Sequence, residues 1–289
     1  MNRRDMLALS IAGGAGMAAV VRPASARARR SGADDSPEQQ AAVAGGVAYF
    51  SRQCDAQAKL CKQLEAAIRS GDLAAARQAY IVARPPYEEI ETLAYAFEEV
   101  DADIDARPYA FDAGETDENF RGFHKIEALL FGYGDVEAAL PYAVRLNQSI
   151  GELKTQLGER DRFDAAGQFG GMYALTNEVA AKKISSEEEA WSDQTLLIFK
   201  HNWIGAYSQY QPFDALVVRA NPAAARKVHE AQAMAQETLK PYFRSGVVAA
   251  TPYTKVPMAD RRRMADASNR FRDALGNASV VIGVDAGIS

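Results

Sequence analysis

The sequence predicts an all-α protein built from two tandem four-helix bundles. Apolar residues recur at steps of three, four and seven along most of the 289 residues, which is the period of an amphipathic α-helix. No stretch of strand length alternates apolar with polar residues. Amphipathic helices joined by short loops bury their apolar faces most simply in bundles, so the sequence indicates bundle packing throughout.

The N-terminal bundle is expected to occupy residues 36–160. Ser36 precedes the first helix as an N-cap, Gly71 ends that helix, and Asp72 caps the second. A proline pair at 85–86 removes two amide donors, so the second helix must kink or break there. The expected segments are helices over 37–70 and 73–97, an irregular stretch over 101–118, a helix around His124, and a helix over 136–157.

The C-terminal bundle is expected to occupy residues 161–289. The segment 158–161 is the expected boundary, because it joins a helix-breaking glycine to three charged residues. Beyond it, the apolar periodicity predicts four further helices. They are expected near 163–184, 187–210, 222–244 and 258–282, with loops at Ser185-Ser186, at Gln211-Pro212 and from Gly246 to Pro257.

Residues 1–28 are expected to be a cleaved export signal. Arg3 and Arg4 precede a mild, glycine-containing apolar stretch, which is typical of a twin-arginine leader, and small residues allow cleavage near Ala26 or Ala28. The apolar stretch is shorter than the ~20 residues that span a bilayer. We therefore expect a periplasmic mature protein that does not span the membrane.

The charge of the chain argues against a nucleic-acid partner. The full sequence has a formal net charge of -5. Residues 1–28 hold four arginines and one aspartate, so their removal leaves a mature chain of about -8. A chain with this balance repels a phosphate backbone.

The two cysteines are expected to be small apolar core residues. Cys54 and Cys61 lie seven positions apart in one predicted helix, which separates them by ~10 Å along its axis. A disulfide needs Cα atoms within ~7 Å. The spacing therefore predicts two free thiols.

The best indication of function is the pair His124 and Glu127, which lies in an otherwise apolar helical run. Residues three apart share a helix face, with Cβ atoms ~5–6 Å apart, so both side chains can hold one cation. Glu88 and Glu91 have the same spacing, whereas Glu89 must point elsewhere. If neighbouring helices bring the two pairs together, a metal ion would relieve the repulsion between the carboxylates. Taken alone, His124 could equally be a hydrogen-bonded core histidine.

Several motifs together resemble the imelysin-like family of the EfeO and EfeM iron-acquisition proteins, and the resemblance covers essentially the whole mature chain. They are Ala83-Arg84-x-x-Tyr87-Glu88-x-Ile90-Glu91, Ile104-Asp105-Ala106-Arg107, Gly122-Phe123-His124-Lys125-Ile126-Glu127, Glu178-Val179, Lys183-Ile184-Ser185, Glu187-Glu188 with Trp191-Ser192, and Pro252-Tyr253-Thr254. Because no cupredoxin-like sequence precedes the bundle, the chain is expected to resemble the short, EfeM-type form.

The resemblance implies a periplasmic two-bundle protein with a metal site. Its ligands would be His124 and Glu127, supported by Glu88, Glu91 and Asp105. Two more residues, Arg107 and Tyr87, would support these ligands, and an arginine suits this role because it presents a fixed fork of donors to a carboxylate. This sequence departs from the family pattern at Ser186 and at His201-Asn202-Trp203. These departures argue against a second site in the C-terminal lobe.

The first functional hypothesis is a binding protein that captures a divalent or ferric metal ion and passes it to an inner-membrane importer. One imidazole with several carboxylates suits Fe, Zn, Mn or Cu without choosing among them.

The second hypothesis is binding of an acidic polysaccharide, because some short relatives in sphingomonads that consume alginate are described as alginate-binding. A negatively charged chain would need a basic patch or a bridging cation for alginate or another polyuronate. No polysaccharide-binding residues are assigned. Candidate basic groups are Lys182, Lys183, Lys200, Arg226, Lys227, Arg244, Lys255 and Arg261-Arg262-Arg263, although ordinary solubilising charge is the favoured interpretation.

The third hypothesis is a metallopeptidase, which only the classification of the family suggests. A zinc hydrolase typically needs three protein ligands, an open position for water and a general base. His229-Glu230 is followed by Ala233 where a second zinc-binding histidine should stand. The sequence therefore assigns no catalytic residues, and we expect a binding protein rather than an enzyme.

Overall fold

The structure is a computed structural model that describes residues 35–184, 188–244 and 251–287. Within these ranges the protein is helical and has no β-strand, so the all-α prediction is confirmed. The predicted export signal lies outside the described residues, as do Ser185 and Ser186. No helix among the described residues is long and apolar enough to cross a membrane.

The described residues form α-helices that are joined by short 3₁₀ and π-helical segments. The α-helices are α1 (Pro37–Arg69), α2 (Leu73–Ala83), α3 (Pro85–Ile90), α4 (Glu98–Asp105), α5 (Phe123–Glu127), α6 (Val136–Gln156), α7 (Ala165–Glu178), α8 (Thr195–Tyr210), α9 (Asp214–Ala220), α10 (Pro222–Leu239) and α11 (Met258–Val281). A 3₁₀ helix covers Glu91–Ala96, and π-helices cover Ala128–Tyr133 and Val179–Lys183.

The first group of helices is built on α1, which packs against α2, α3 and α6. A capping box fixes the start of α1, since Ser36 and Gln39 bond each other's backbone amides. Asp72 caps α2 by accepting hydrogen bonds from the amides of Ala74 and Ala75. Cys54 and Cys61 are free and buried in this core, as their spacing predicts.

The second group consists of α7, α8, α10 and α11, which pack against one another. Trp203 lies fully buried on α8, and its indole nitrogen donates to Ser268 Oγ on α11 at 3.0 Å. That hydroxyl donates in turn to the backbone carbonyl of Thr176 on α7, at 2.7 Å. Three helices are thereby connected through one satisfied polar chain inside an apolar core.

The two groups meet where α3 packs on α8 and where the Glu91–Ala96 segment packs on α7. The contact is very close. A Cβ at Gly205 would collide with the backbone of Glu89, and a Cβ at Gly171 would collide with the carbonyl oxygen of Thr92. Glycine at these two positions allows the backbones to approach directly.

The predicted helix boundaries are wrong in three places. Residues 101–105 belong to α4 rather than to an irregular stretch, because acidic residues in the first turn favour a helix N-terminus and the buried Val100 and Ile104 anchor it. The helix predicted from residue 187 begins only at Thr195, after turns that include Asp193 with a positive φ of 61°. No helix is predicted between Gln211 and residue 222, where α9 occurs.

Candidate metal centre

The short helix α5 presents His124 to the interior. It begins after Gly122, whose φ is +79°, and a Cβ at that position would collide with the carbonyl of Ile104 at the end of α4. Glycine therefore lets α5 start directly against α4. As a result, His124 Nε2 lies 3.5 Å from Asp105 Oδ1, and both side chains are buried.

Three buried residues could hold a metal ion together: His124, Glu127 and Glu189. One possible ligand atom from each lies within 4.8 Å of the others. His124 Nδ1 is 3.4 Å from Glu127 Oε2. Glu189 is the third member and comes from the second half of the chain, so the group lies at the junction of the two halves rather than wholly within residues 36–160.

The turn after Glu189 holds both of these carboxylates in place. Glu127 Oε1 accepts hydrogen bonds from the backbone amides of Trp191, at 3.0 Å, and Ser192, at 2.7 Å. Glu189 Oε2 accepts from the hydroxyl of Ser192 at 2.8 Å. The other oxygen of Glu127 remains beside the imidazole. These hydrogen bonds fix the orientation of the two carboxylates.

A buried arginine connects three of the acidic residues. Arg84 has a side chain that is only 1% exposed, and its guanidinium forms an ion pair with Glu88. It also donates to Asp105 Oδ1 at 2.7 Å and to Glu189 Oε1 at 2.8 Å. One positive charge therefore faces three carboxylates, and the guanidinium fork matches their geometry.

Glu91 belongs to a neighbouring polar cluster. Both of its carboxylate oxygens lie 2.9 Å from Lys183 Nζ. The amide of Asn202 donates to Glu91 Oε2 at 2.9 Å and to Glu88 Oε2 at 3.0 Å. The structure thus brings Glu88 and Glu91 together, as their spacing indicates. Among the described contacts, however, they meet Arg84, Lys183 and Asn202 rather than His124.

Arg107 and Tyr87, the two residues expected to support the ligands, both contact acidic side chains near the candidate centre. Arg107 forms an ion pair with Glu188, and its guanidinium is 3.6 Å from Asp105 Oδ2. Tyr87 is fully buried and donates its hydroxyl to Asp101. Arg107 is thus close to a predicted ligand, whereas Tyr87 acts on a different acid.

Burial and neighbouring charges shift the pKa values of the acids around Arg84. Burial, and then repulsion from Glu127, raise the pKa of Glu189 to about 7. Burial raises the pKa of Glu88 to about 8, although Arg84 opposes this effect. Burial also favours neutral Asp105, but Arg84 and His124 outweigh it and hold the pKa of that carboxyl well below its usual value. Carboxylates with raised pKa values are sites where an added cation would be stabilised.

Asp105 and Glu127 both raise the pKa of the His124 imidazole. Burial alone would lower the pKa of His124, but the two neighbouring carboxylates raise it above the usual histidine value. A metal ion would have to replace this proton, because only the neutral ring can act as a ligand. Binding of an ion here would therefore be coupled to proton release.

Comparison with known proteins identifies the family. The peptidase M75 family model, described as imelysin, matches residues 49–278, which is most of the chain. The chain belongs to the imelysin family. It is 31% identical over 253 residues to the iron uptake system component EfeO of Yersinia pseudotuberculosis, an alignment that covers 86% of this chain and 67% of that protein. It is also 31% identical over 219 residues to EfeO of Escherichia coli K12, covering 76% of this chain and 58% of the relative.

A solved structure has the same fold. A candidate iron-regulated protein A precursor from Parabacteroides distasonis superposes with a TM-score of 0.63 at 14% sequence identity. The superposition covers 85% of this chain and 95% of that one. The imelysin-family chain spans about two thirds of the Yersinia relative and less of the Escherichia coli relative. These relatives are named as iron uptake components, although the family model carries a peptidase name.

Sequence reasoning gave Arg84 no role beyond its place in a motif, did not single out Glu189, and misplaced Lys183. Glu189 stands more than 60 residues after Glu127, in an acidic run, and no spacing rule connects the two positions. Arg84 precedes a proline pair and has no periodic signal of its own. Lys183 is not a surface basic group as predicted, because its side chain is 1% exposed and bound to Glu91. Arg261 is also used internally, since it donates to the carbonyl of Tyr253 at 2.8 Å.

The raised pKa values predict how the stability of the metal-free imelysin-family protein depends on pH. A carboxyl whose pKa is higher in the folded state stabilises the fold when protonated, and this contribution is lost as the pH rises through the folded value. For Glu189 and Glu88 those values are about 7 and about 8. The melting temperature should therefore fall between about pH 5 and about pH 8.

Substitution separates this effect from general pH sensitivity. Glu189→Gln should make the fall in melting temperature shallower near neutral pH, whereas Glu98→Gln on the exposed side of α4 should leave the slope unchanged. Thermal unfolding in chelator-treated buffer at several pH values measures both slopes. Equal slopes in the wild type and in Glu189→Gln would show that Glu189 does not titrate as described.

Proposed function

We propose that this protein is a periplasmic binding component of an iron uptake system, and that it holds a divalent or ferric metal ion at His124, Glu127 and Glu189. The single observation that carries the proposal is this buried group, in which one imidazole and two carboxylates lie within 4.8 Å of one another. The named role of the EfeO relatives in iron uptake supports it.

The donor set suits the proposed substrate. One nitrogen and several carboxylate oxygens favour Fe, Zn, Mn or Cu over soft ions, and they do not select one of these four. The ion would take the place of the proton that burial favours on Glu189 and of the proton that Asp105 and Glu127 favour on the imidazole. Its charge would offset the excess of carboxylates, which Arg84 alone cannot neutralise.

The other predicted residues have distinct proposed roles. Asp105 lies beside His124 Nε2 and would fix the orientation of the imidazole, or join the ion as a further ligand. Glu88 and Glu91 would supply negative charge from the adjacent cluster, while Arg107 holds Asp105 and Glu188 in place. We further propose that the bound ion is passed to an inner-membrane importer. Polyuronate binding stays a hypothesis that no described contact favours.

Metal analysis tests the proposal. The protein, purified without chelator and loaded with Zn²⁺ or with Fe²⁺ under anaerobic conditions, should retain about one ion per chain. The variant His124→Ala plus Glu127→Ala should retain none of the added divalent ion, and Glu189→Gln should weaken its binding at least ~10-fold. Inductively coupled plasma mass spectrometry after gel filtration gives the metal content.

The matched control removes another histidine and acid pair. His229 Nε2 lies 2.9 Å from Asp214 Oδ1 at a more exposed position, far along the chain from the candidate centre. The variant His229→Ala plus Asp214→Ala should keep the full metal content. An unchanged metal content in His124→Ala plus Glu127→Ala would overturn the proposed site.

A further inference from the structure

A second polar cluster lies on the opposite side of α3 and plays no part in the proposed function. Its centre is Glu89, which points away from Glu88 and Glu91. Glu89 Oε1 lies 2.6 Å from His201 Nδ1 on α8. Glu89 Oε2 accepts from Gln53 Nε2 on α1 at 2.7 Å and from the hydroxyl of Tyr49. One carboxylate therefore gathers donors from two other helices.

The side chains of this cluster are in close contact and only partly covered. Gln53 Nε2 also lies 2.9 Å from Tyr49 Oη, so the phenol, the amide and the carboxylate are in mutual contact. Glu89 is buried, whereas Tyr49, Gln53 and His201 are half-buried. The four side chains therefore lie near the protein surface, and most of their area is covered by neighbouring residues.

One atom in this cluster is not satisfied by the protein. His201 Nε2 is enclosed and has no hydrogen-bond partner among the described residues. Buried polar atoms normally have one, so an imidazole with a vacant nitrogen is unusual for a purely structural ion pair. Nδ1 is the nitrogen that faces Glu89, so it is the one that would bind an ion held by the carboxylate, and Nε2 lies at the far edge of the ring.

We propose that Tyr49, Glu89 and His201 form a second metal site, which takes a ferric ion. A phenolate, a carboxylate and an imidazole together form a hard, largely anionic donor set, which suits a small trivalent ion better than a divalent one. Gln53 would offer its amide oxygen after a flip, since the two ends of the amide are interchangeable in shape. This inference is independent of the candidate centre at His124.

The protons lost on binding go to solvent. The phenol of Tyr49 releases its proton and bonds the ion through Oη, and the imidazole binds in its neutral form. Burial and the neighbouring Glu89 raise the pKa of Tyr49 to about 12. The Arg52 guanidinium lies 5.8 Å from the Tyr49 ring centre and would favour the phenolate. No change of oxidation state is involved.

The experiment uses the full mature chain with the first site disabled. Ferric nitrilotriacetate is added to the His124→Ala plus Glu127→Ala variant, and iron retained after gel filtration is counted together with the visible spectrum. About one iron per chain is expected, with a phenolate-to-iron charge-transfer band and tyrosinate modes in the resonance Raman spectrum. Retained iron without the band, or no retained iron, would overturn the proposal.

Matched variants in the same background assign the band to this cluster. Tyr49→Phe should abolish it, whereas Tyr142→Phe on α6 should preserve it. His201→Gln should weaken iron binding at least ~10-fold, and His229→Gln should leave binding unchanged. Circular dichroism confirms that each variant is folded. A band that survives Tyr49→Phe would place the ion elsewhere and overturn the assignment. Because the first site is absent from these variants, failure of either site is distinguishable from failure of the other.

Discussion

Replacement of Arg84 by methionine should lower the free energy of unfolding of the metal-free protein by about 3–5 kcal/mol at neutral pH. The guanidinium is enclosed and binds Glu88, Asp105 and Glu189, so its removal leaves three buried carboxylates without their cation. Methionine has a similar length but no charge, and the acids must then take up protons or admit water. Urea denaturation in chelator-treated buffer measures the loss.

Two comparisons make this prediction specific. Arg69 on α1 is exposed and pairs with Glu65 one turn away, so Arg69→Met should cost less than about 1 kcal/mol. Addition of a divalent metal should recover more stability in Arg84→Met than in the wild type, because the ion replaces the missing positive charge. A loss for Arg84→Met as small as that for Arg69→Met would contradict the central role of the guanidinium.

A side chain at Gly171 should also be strongly destabilising. Gly171→Ala on α7 should lower the free energy of unfolding by about 2–3 kcal/mol, because the new Cβ would collide with the carbonyl oxygen of Thr92. This oxygen belongs to the backbone and cannot move aside as a flexible side chain would. The helix would have to shift away from the Glu91–Ala96 segment, which opens the junction between the two halves. Thermal and urea unfolding test the prediction.

The chain offers a matched control for the glycine. Gly151 lies within α6, and a Cβ there would meet no atom within 4 Å. Gly151→Ala should therefore stabilise the protein by about 0.5–1 kcal/mol, through the better helix propensity of alanine. If both substitutions change the stability in the same direction, then the contact at Gly171 does not limit the packing of α7.

Much of the fold was predictable because the signals are local. The Ser36 cap, the Asp72 cap and the proline pair act on residues close by in the sequence, and they place the ends of α1 and α2 correctly. The helix α9 was not predictable in this way. Pro212 indicates a break, yet it lies in a short 3₁₀ turn that leads directly into α9.

The candidate centre was predictable only in part, for a physical reason. His124 and Glu127 share a helix face, and Asp105 reaches them because Gly122 permits the close approach of α5 to α4. Glu189 comes from a turn far along the chain, and its position depends on tertiary packing that no sequence period reports. The partners of Glu88 and Glu91 were equally hidden, since a buried arginine and a buried lysine look like surface charge in a sequence.

The junction of the two halves also bears on how the chain folds. A polypeptide that has emerged only to residue 160 contains Glu91 but lacks Lys183, which neutralises it, and contains Glu127 but lacks the amides of Trp191 and Ser192. The first half on its own would retain unsatisfied charge in its interior. We therefore expect its core to consolidate only after the later helices have been synthesised, so that folding follows completion of the chain rather than its growth.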